Sequence, residues 1–77
     1  MASSSPVGLI GRIVTASRGA AGSGEVVLRI RGGTETMIAR SREPIPVGAT
    51  VVVLSSLGPL TVEVLPWDDP FDSLVNP

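Results

Sequence analysis

The sequence predicts an all-β fold, a five-stranded OB-like small barrel, and three observations carry that prediction. Gly and Pro divide the chain into five short apolar runs, several of these alternate polar and apolar residues, and no ten-residue stretch combines helical spacing with caps and good helix formers. At 77 residues the chain makes one domain at most. A domain this small buries only about 60% of its unfolded surface, so nearly every apolar strand position has to face inward. Closing the strands into a barrel also removes the free edges that a short β chain would otherwise expose.

The first strand is expected within Leu9 to Ser17, opened by Gly8 and interrupted by Gly11. A connection of small residues, Arg18 to Gly24, follows. It lacks the Gly-Lys-Ser/Thr ending and the helix start of a phosphate loop, so it reads as a plain hairpin connection. From Glu25 to Arg31 the alternation is clean: Val26, Leu28 and Ile30 share one face, Glu25, Val27, Arg29 and Arg31 the other. Gly32-Gly33 is a two-residue hairpin signal, because both positions tolerate positive φ. The third strand, Thr34 to Arg40, returns with Met37 and Ala39 on one face and Thr36, Ile38 and Arg40 on the other.

Ser41 to Thr50 contains Pro44, Pro46 and Gly48, which excludes a central strand and predicts a wide turn across one barrel end. Ser41 or Glu43 is expected to accept backbone N–H groups there. Val51 to Leu54 is apolar on both faces, as in a strand covered on both sides or curled across a barrel. Gly58-Pro59 turns the chain into a last strand, Leu60 to Leu65, with Leu60, Val62 and Val64 inward and Glu63 outward. The domain is therefore drawn at residues 8–66. Residues 1–7 read as a disordered leader or cloning remnant, which makes the chain a fragment of something longer, and residues 67–77 as a C-terminal tail.

Composition argues against catalysis. The chain has no His, Cys, Lys or Tyr, so the usual general bases, thiolate nucleophiles, Schiff-base amines and phenol donors are missing, and no catalytic residue or cofactor is assigned. No zinc-thiolate set exists, and the spacing of Asp68, Asp69 and Asp72 does not match a calcium loop, so no metal site is assigned either. A net charge of −1 gives no electrostatic reason to expect nucleic acid. No window approaches the ~18 consecutive apolar residues of a membrane span, so this segment itself does not insert.

Two groups remain as candidate partner-binding residues. Arg29, Arg31, Arg40 and Arg42 fall on neighbouring strands as a possible basic patch, the first three being candidate partner-binding residues, with Glu25, Glu35 and Glu43 close in sequence as partners in an exposed charge ladder. Single-strand binding by an OB-fold would need stacking aromatics beside such arginines, and the only aromatics are Trp67 and Phe71 in the tail. Trp67, Phe71 and Leu74 would share one face if the tail coiled and could then dock a partner. The favoured role for Trp67 alone is to plug the open barrel end, because it offers a large apolar area to a small core.

Over Gly8 to Pro66 the sequence resembles the C-terminal soluble domain of the NfeD-like family. The match rests on Gly8-Leu-Ile-Gly11 before a strand, the Gly24-Glu-Val-Val-Leu28 strand, the Ala39-Arg-Ser-Arg-Glu-Pro-Ile-Pro-Val-Gly48 turn, and Val51-Val-Val53 paired with Leu60-Thr-Val-Glu-Val-Leu-Pro66. The central turn is its most specific part. The resemblance implies an OB-like barrel on the cytoplasmic side of a membrane-anchored bacterial protein, working in assembly or membrane protein quality control with stomatin- or flotillin-type scaffolds. In longer members a ClpP-like serine protease domain precedes the membrane helices. This chain carries no candidate protease segment, so that activity does not transfer. Many members also carry an aromatic residue shortly before the Ala-Arg-Ser turn, where this chain has Met37. The alternatives are a nucleic-acid-binding OB domain and an accessory domain that regulates a membrane-associated protease.

Overall fold

The computed structural model describes residues 5–30 and 32–67. Its strands are β1 Ile10–Thr15, β2 Ser17–Arg18, β3 Gly24–Ile30, β4 Gly33–Arg40, β5 Pro44–Ile45, β6 Thr50–Gly58 and β7 Thr61–Pro66, with one 3-10 turn at Gly19–Ala21. Five of them close a barrel in the order β1-β3-β4-β7-β6, and β2 pairs with β5 as a separate two-stranded ladder. The OB-like five-stranded barrel expected from the sequence is the fold observed.

All barrel joints are antiparallel except the last, where β7 meets β4 in parallel through Ile38↔Thr61, Ala39↔Val62 and Arg40↔Glu63. This joint follows from the path of the chain. After β4 the proline-containing run carries the backbone across to β6, which pairs with β1, and β7 then returns beside β6 to close the ring against β4. A backbone bond from Ile38 N–H to Leu60 O, 2.7 Å, extends the closure by one residue.

The core consists of Ile13, Val26, Leu28, Ala39, Ile45, Val51, Val53, Val62 and Val64. Valine dominates because a five-stranded barrel is narrow, and inward side chains from facing strands leave room for little more. Ile45 is 1% exposed and is the one core residue from outside the five barrel strands. Trp67 is 44% exposed and is not one of the core residues; its backbone N–H donates to Thr50 O at 2.8 Å. The plug reading is therefore corrected. A β-branched side chain on a two-residue ladder fits inside the ring, whereas Trp67 continues the outward alternation of β7.

Several other expectations shift. The run from Ser41 to Thr50 is not only a turn: Pro44 and Ile45 pair with Arg18 and Ser17. Pro44 is tolerated because this ladder is an edge, where a missing N–H costs little. The small-residue connection likewise holds β2 and the 3-10 turn, with Arg18 N–H bonded to Gly22 O at 2.9 Å. The β3–β4 hairpin pairs through Ile30↔Gly33, so its two-residue connection falls at positions 31–32, one position earlier than the Gly32-Gly33 reading, with Gly32 at φ +79°. Leu60 lies in the turn before β7 and is 53% exposed rather than inward.

Register shifts mark three bulges, between Ile13 and Thr15, Val53 and Ser55, and Ser56 and Gly58. Each adds one residue without an opposite partner, and the extra residues are Val14, Leu54 and Leu57, all exposed. Bulges bend strands and raise their twist, which lets nine residues of β6 curl around a narrow ring.

A hydrogen-bond chain ties the Ala39–Gly48 run to the corner formed by β2. Gly19 N–H donates to Ser17 Oγ (3.2 Å), and Ser41 Oγ–H donates to Glu43 O (2.7 Å). Because Ser41 spends its single proton on Glu43 O, the 2.6 Å contact between the two hydroxyls has Ser17 as donor. Ser41 thus satisfies a carbonyl, where the sequence suggested an N–H acceptor. Ser17 is 2% exposed, and this chain satisfies a polar group that would otherwise be costly inside.

Candidate protein-docking face

Of the residues singled out from sequence, Arg29 and Arg40 do not gather. Arg29 pairs with Thr34 near the tip of the β3–β4 hairpin, while Arg40 lies beyond Ala39↔Gly24 at the other end of the same ladder. Six residues of β4, from Thr34 to Arg40, separate the two levels, about 20 Å at ~3.3 Å per residue. They form no single basic patch. The charge ladder also differs from the expected one: Arg40 stands opposite Glu63, Glu25 accepts a hydrogen bond from Thr15 Oγ1 (2.7 Å), and Glu63 accepts one from Ser55 Oγ (3.2 Å). Arg31, Phe71 and Leu74 lie outside the described residues.

What the fold does bring together is apolar. β1, β6 and β7 are neighbours, and their registers place Ile10 opposite Val52 and Val52 opposite Leu65. With Gly11, Val51 and Val53 buried, alternation points these three side chains outward. Ile10 is 44% and Leu65 42% exposed, and Val52 is half-buried between them. The adjacent level along the same strands runs Arg12, Thr50 and Trp67: Arg12 pairs with Thr50, and Thr50 O accepts the Trp67 N–H. Leu54, two positions along β6, extends the strip.

A depression flanks the strip on each side. One, of about 270 Å³, takes in Ile10, Arg12, Arg29 and Thr50. The other, of about 260 Å³, lies between the Ser41–Glu43 segment and β7 and takes in Arg42, Val64 and Leu65. The result is an apolar centre with arginines at both margins. Among the described residues, no group of three metal-ligating side chains is present.

Of the candidates named from sequence, Trp67 borders this face and Arg29 lines its margin; Ile10, Val52, Leu65 and Arg12 were missed. A signal for them exists in the run Val51 to Leu54, whose apolar residues on both faces leave Val52 and Leu54 outward once Val51 and Val53 point in. The outer face of the β3–β4 hairpin, the counterpart of the OB-fold nucleic-acid face, carries Glu25, Val27, Arg29, Thr34, Thr36 and Ile38, with no aromatic residue for base stacking.

Comparisons with known proteins bear on the family and the fold. The family model "NfeD C-terminal domain" matches residues 10–65. The solution structure of the soluble domain of the NfeD protein YuaF from Bacillus subtilis is similar with a TM-score of 0.67 at 33% identity, covering 80% of this chain and 74% of that one. The C-terminal domain of stomatin operon partner protein 1510-C from Pyrococcus horikoshii is similar with a TM-score of 0.61 at 30% identity, covering 83% of this chain and 91% of that one. No curated protein matches the chain. With the matched region running from β1 to within β7, the chain belongs to the NfeD family, in the part that forms its C-terminal domain.

Proposed function

We propose that this domain is a non-catalytic assembly module, spanning residues 8–66, of a membrane-anchored NfeD protein, and that it recruits a stomatin-type scaffold on the cytoplasmic side. The observation that carries the reading is the exposed strip Ile10, Val52 and Leu65, bordered by Trp67. Apolar side chains in a contiguous row, with arginines at the rim, suit a protein segment better than a charged polymer. The partner class comes from the relative named as a stomatin operon partner protein. Trp67 is the aromatic anchor of the proposed interface, and Phe71 and Leu74 extend it. Arg29, together with Arg12 and Arg42, acts at its margins in recognition rather than in affinity.

The test is co-purification of a stomatin-type scaffold with the membrane-anchored parent protein from its own cells. Replacing Ile10 and Leu65 by Ser should reduce recovery at least tenfold while the parent protein stays at its normal level. Unchanged recovery would remove the strip from the interface. Recovery of a protease in place of the scaffold, again dependent on Ile10 and Leu65, would favour a role in protease regulation.

A further inference from the structure

The turn between β6 and β7 has a composition unlike that of an ordinary hairpin tip. Tight turns mostly hold Gly, Pro, Asn, Asp or Ser, whereas the run Leu57-Gly58-Pro59-Leu60 has two leucines and no polar side chain. Leu57 is 49% and Leu60 53% exposed. Ile38 of β4, also exposed, joins them: its N–H donates to Leu60 O, and its register partner is Thr61. The tip is separate from the strip around Val52. That residue lies five positions back along β6, about 16 Å at ~3.3 Å per residue.

Cations stand beside the tip. A depression of about 370 Å³ brings Leu57 together with Arg40, Arg42 and Glu63. The Glu63 carboxylate accepts the Ser55 hydroxyl. All six arginines but only four of the seven acidic residues lie within residues 8–66, so this part carries +2 although the whole chain carries −1. Three apolar side chains and a proline are far fewer than the roughly 20–30 residues a side of a stable protein interface. They suit a bilayer surface, where buried apolar area and nearby cations each add to binding without a shaped partner.

We propose that Leu57, Leu60 and Ile38 form a contact with an anionic lipid surface. The leucines dip into the headgroup boundary, and Arg40 and Arg42 face the lipid phosphates. The contact is peripheral and spans nothing. It rests on the membrane anchoring proposed above, which supplies the high local concentration a small contact needs, and not on the identity of the scaffold. Its effect is to orient the barrel, with the tip against the bilayer and the Ile10, Val52 and Leu65 strip away from the contact.

The test mixes the isotope-labelled chain with lipid nanodiscs of phosphatidylglycerol and phosphatidylcholine in equal parts, carrying a spin-labelled lipid. Methyl relaxation at Leu57, Leu60 and Ile38 should exceed that at Val14 and Val47 about threefold or more. Those two lie at the opposite end of the barrel, past the Arg12↔Thr50 pair and beside the Gly48 N–H bond to Ile13 O. Discs of phosphatidylcholine alone, or Arg40→Gln with Arg42→Gln, should lower the excess about fivefold. Leu57→Ser with Leu60→Ser should abolish it at Ile38; both leucines are about half exposed, and unchanged core resonances check that the variant keeps its fold. Relaxation no higher at the tip than at Val14 and Val47 would overturn the proposal. So would an excess at Ile38 that survives loss of both leucines, or one that is equal in discs without phosphatidylglycerol. Broadening of the tip that grows with protein concentration in the absence of discs would assign it to a second copy and also overturn it. None of these outcomes alters recovery of a scaffold through Ile10 and Leu65, and failure of that recovery leaves the lipid contact standing.

Discussion

Replacing Gly24 by Ala tests how tightly the start of β3 is set against the joint between β1 and β2. A Cβ at Gly24 would stand 2.3 Å from Thr15 O and 2.7 Å from both Ala16 C and Ser17 N, against 3.4–4 Å for ordinary contact. These neighbours are backbone atoms, so relief requires a shift of about 1 Å in the chain itself. That movement disturbs the Thr15↔Glu25 pairing and the buried Ser17 beside it. Overpacking of this kind costs about 1–3 kcal/mol. Loss of unfolded-state entropy returns about 0.4–1 kcal/mol of it. The net destabilisation is about 1–2 kcal/mol, a fall in Tm of roughly 4–16 °C for a domain of this size. Gly58 is the internal control, with nothing within 4 Å of its added Cβ and no positive φ. Gly58→Ala should raise Tm by a few degrees, since only the unfolded-state term remains. Thermal melts followed by far-UV circular dichroism and by calorimetry compare the two. A Gly24→Ala protein melting within about 2 °C of the parent would mean that the start of β3 is not held tightly against Thr15 to Ser17. So would an equal loss in Gly58→Ala.

The other predictions concern the core, the buried hydroxyl and the two features on which sequence and structure disagree. Leu28→Ala removes a side chain that is fully buried inside the ring and should cost about 2–5 kcal/mol in denaturant unfolding. Ser17→Ala leaves the Gly19 N–H and the Ser41 hydroxyl without their partner, and should cost about 1–3 kcal/mol. Trp67→Ala should cost less than about 1 kcal/mol, because its ring lies outside the core; a loss of about 3–5 kcal/mol would reinstate the plug. In a double-mutant cycle, Arg40→Ala with Glu63→Ala should show coupling of at most about 1 kcal/mol, as for exposed opposite charges on neighbouring strands.

The sequence was most informative where local pattern and tertiary burial coincide. Val26 and Leu28 on β3, Ala39 on β4 and Val62 and Val64 on β7 were all expected inward from period-two alternation, and all are buried. Alternation failed at Leu60 because the Pro59 turn runs one residue further, which no periodicity marks. The β2–β5 ladder was hidden for a different reason. It joins two irregular segments, and its specificity comes from a buried Ile45 and a serine pair separated by 24 residues in the chain. The candidate face was hidden because its row is assembled across strands. Ile10, Val52 and Leu65 are scattered in sequence and become neighbours only through the β1–β6 and β6–β7 registers, which are set by bulges and closure. The arginines illustrate the converse. Arg29 and Arg40 lie on strands that pair, yet the hairpin register sets them at opposite ends.

The proposed docking role is tested most directly by titrating the isotope-labelled domain with the soluble part of a stomatin-type scaffold and mapping the resonances that move. Saturable shifts are expected, centred on Ile10, Val52, Leu65 and Trp67, with Arg12 and Arg29 at the margin and the far side of the barrel unchanged. Shifts confined to the outer face of the β3–β4 hairpin, reproduced by a single-stranded oligonucleotide and abolished by salt, would contradict that role.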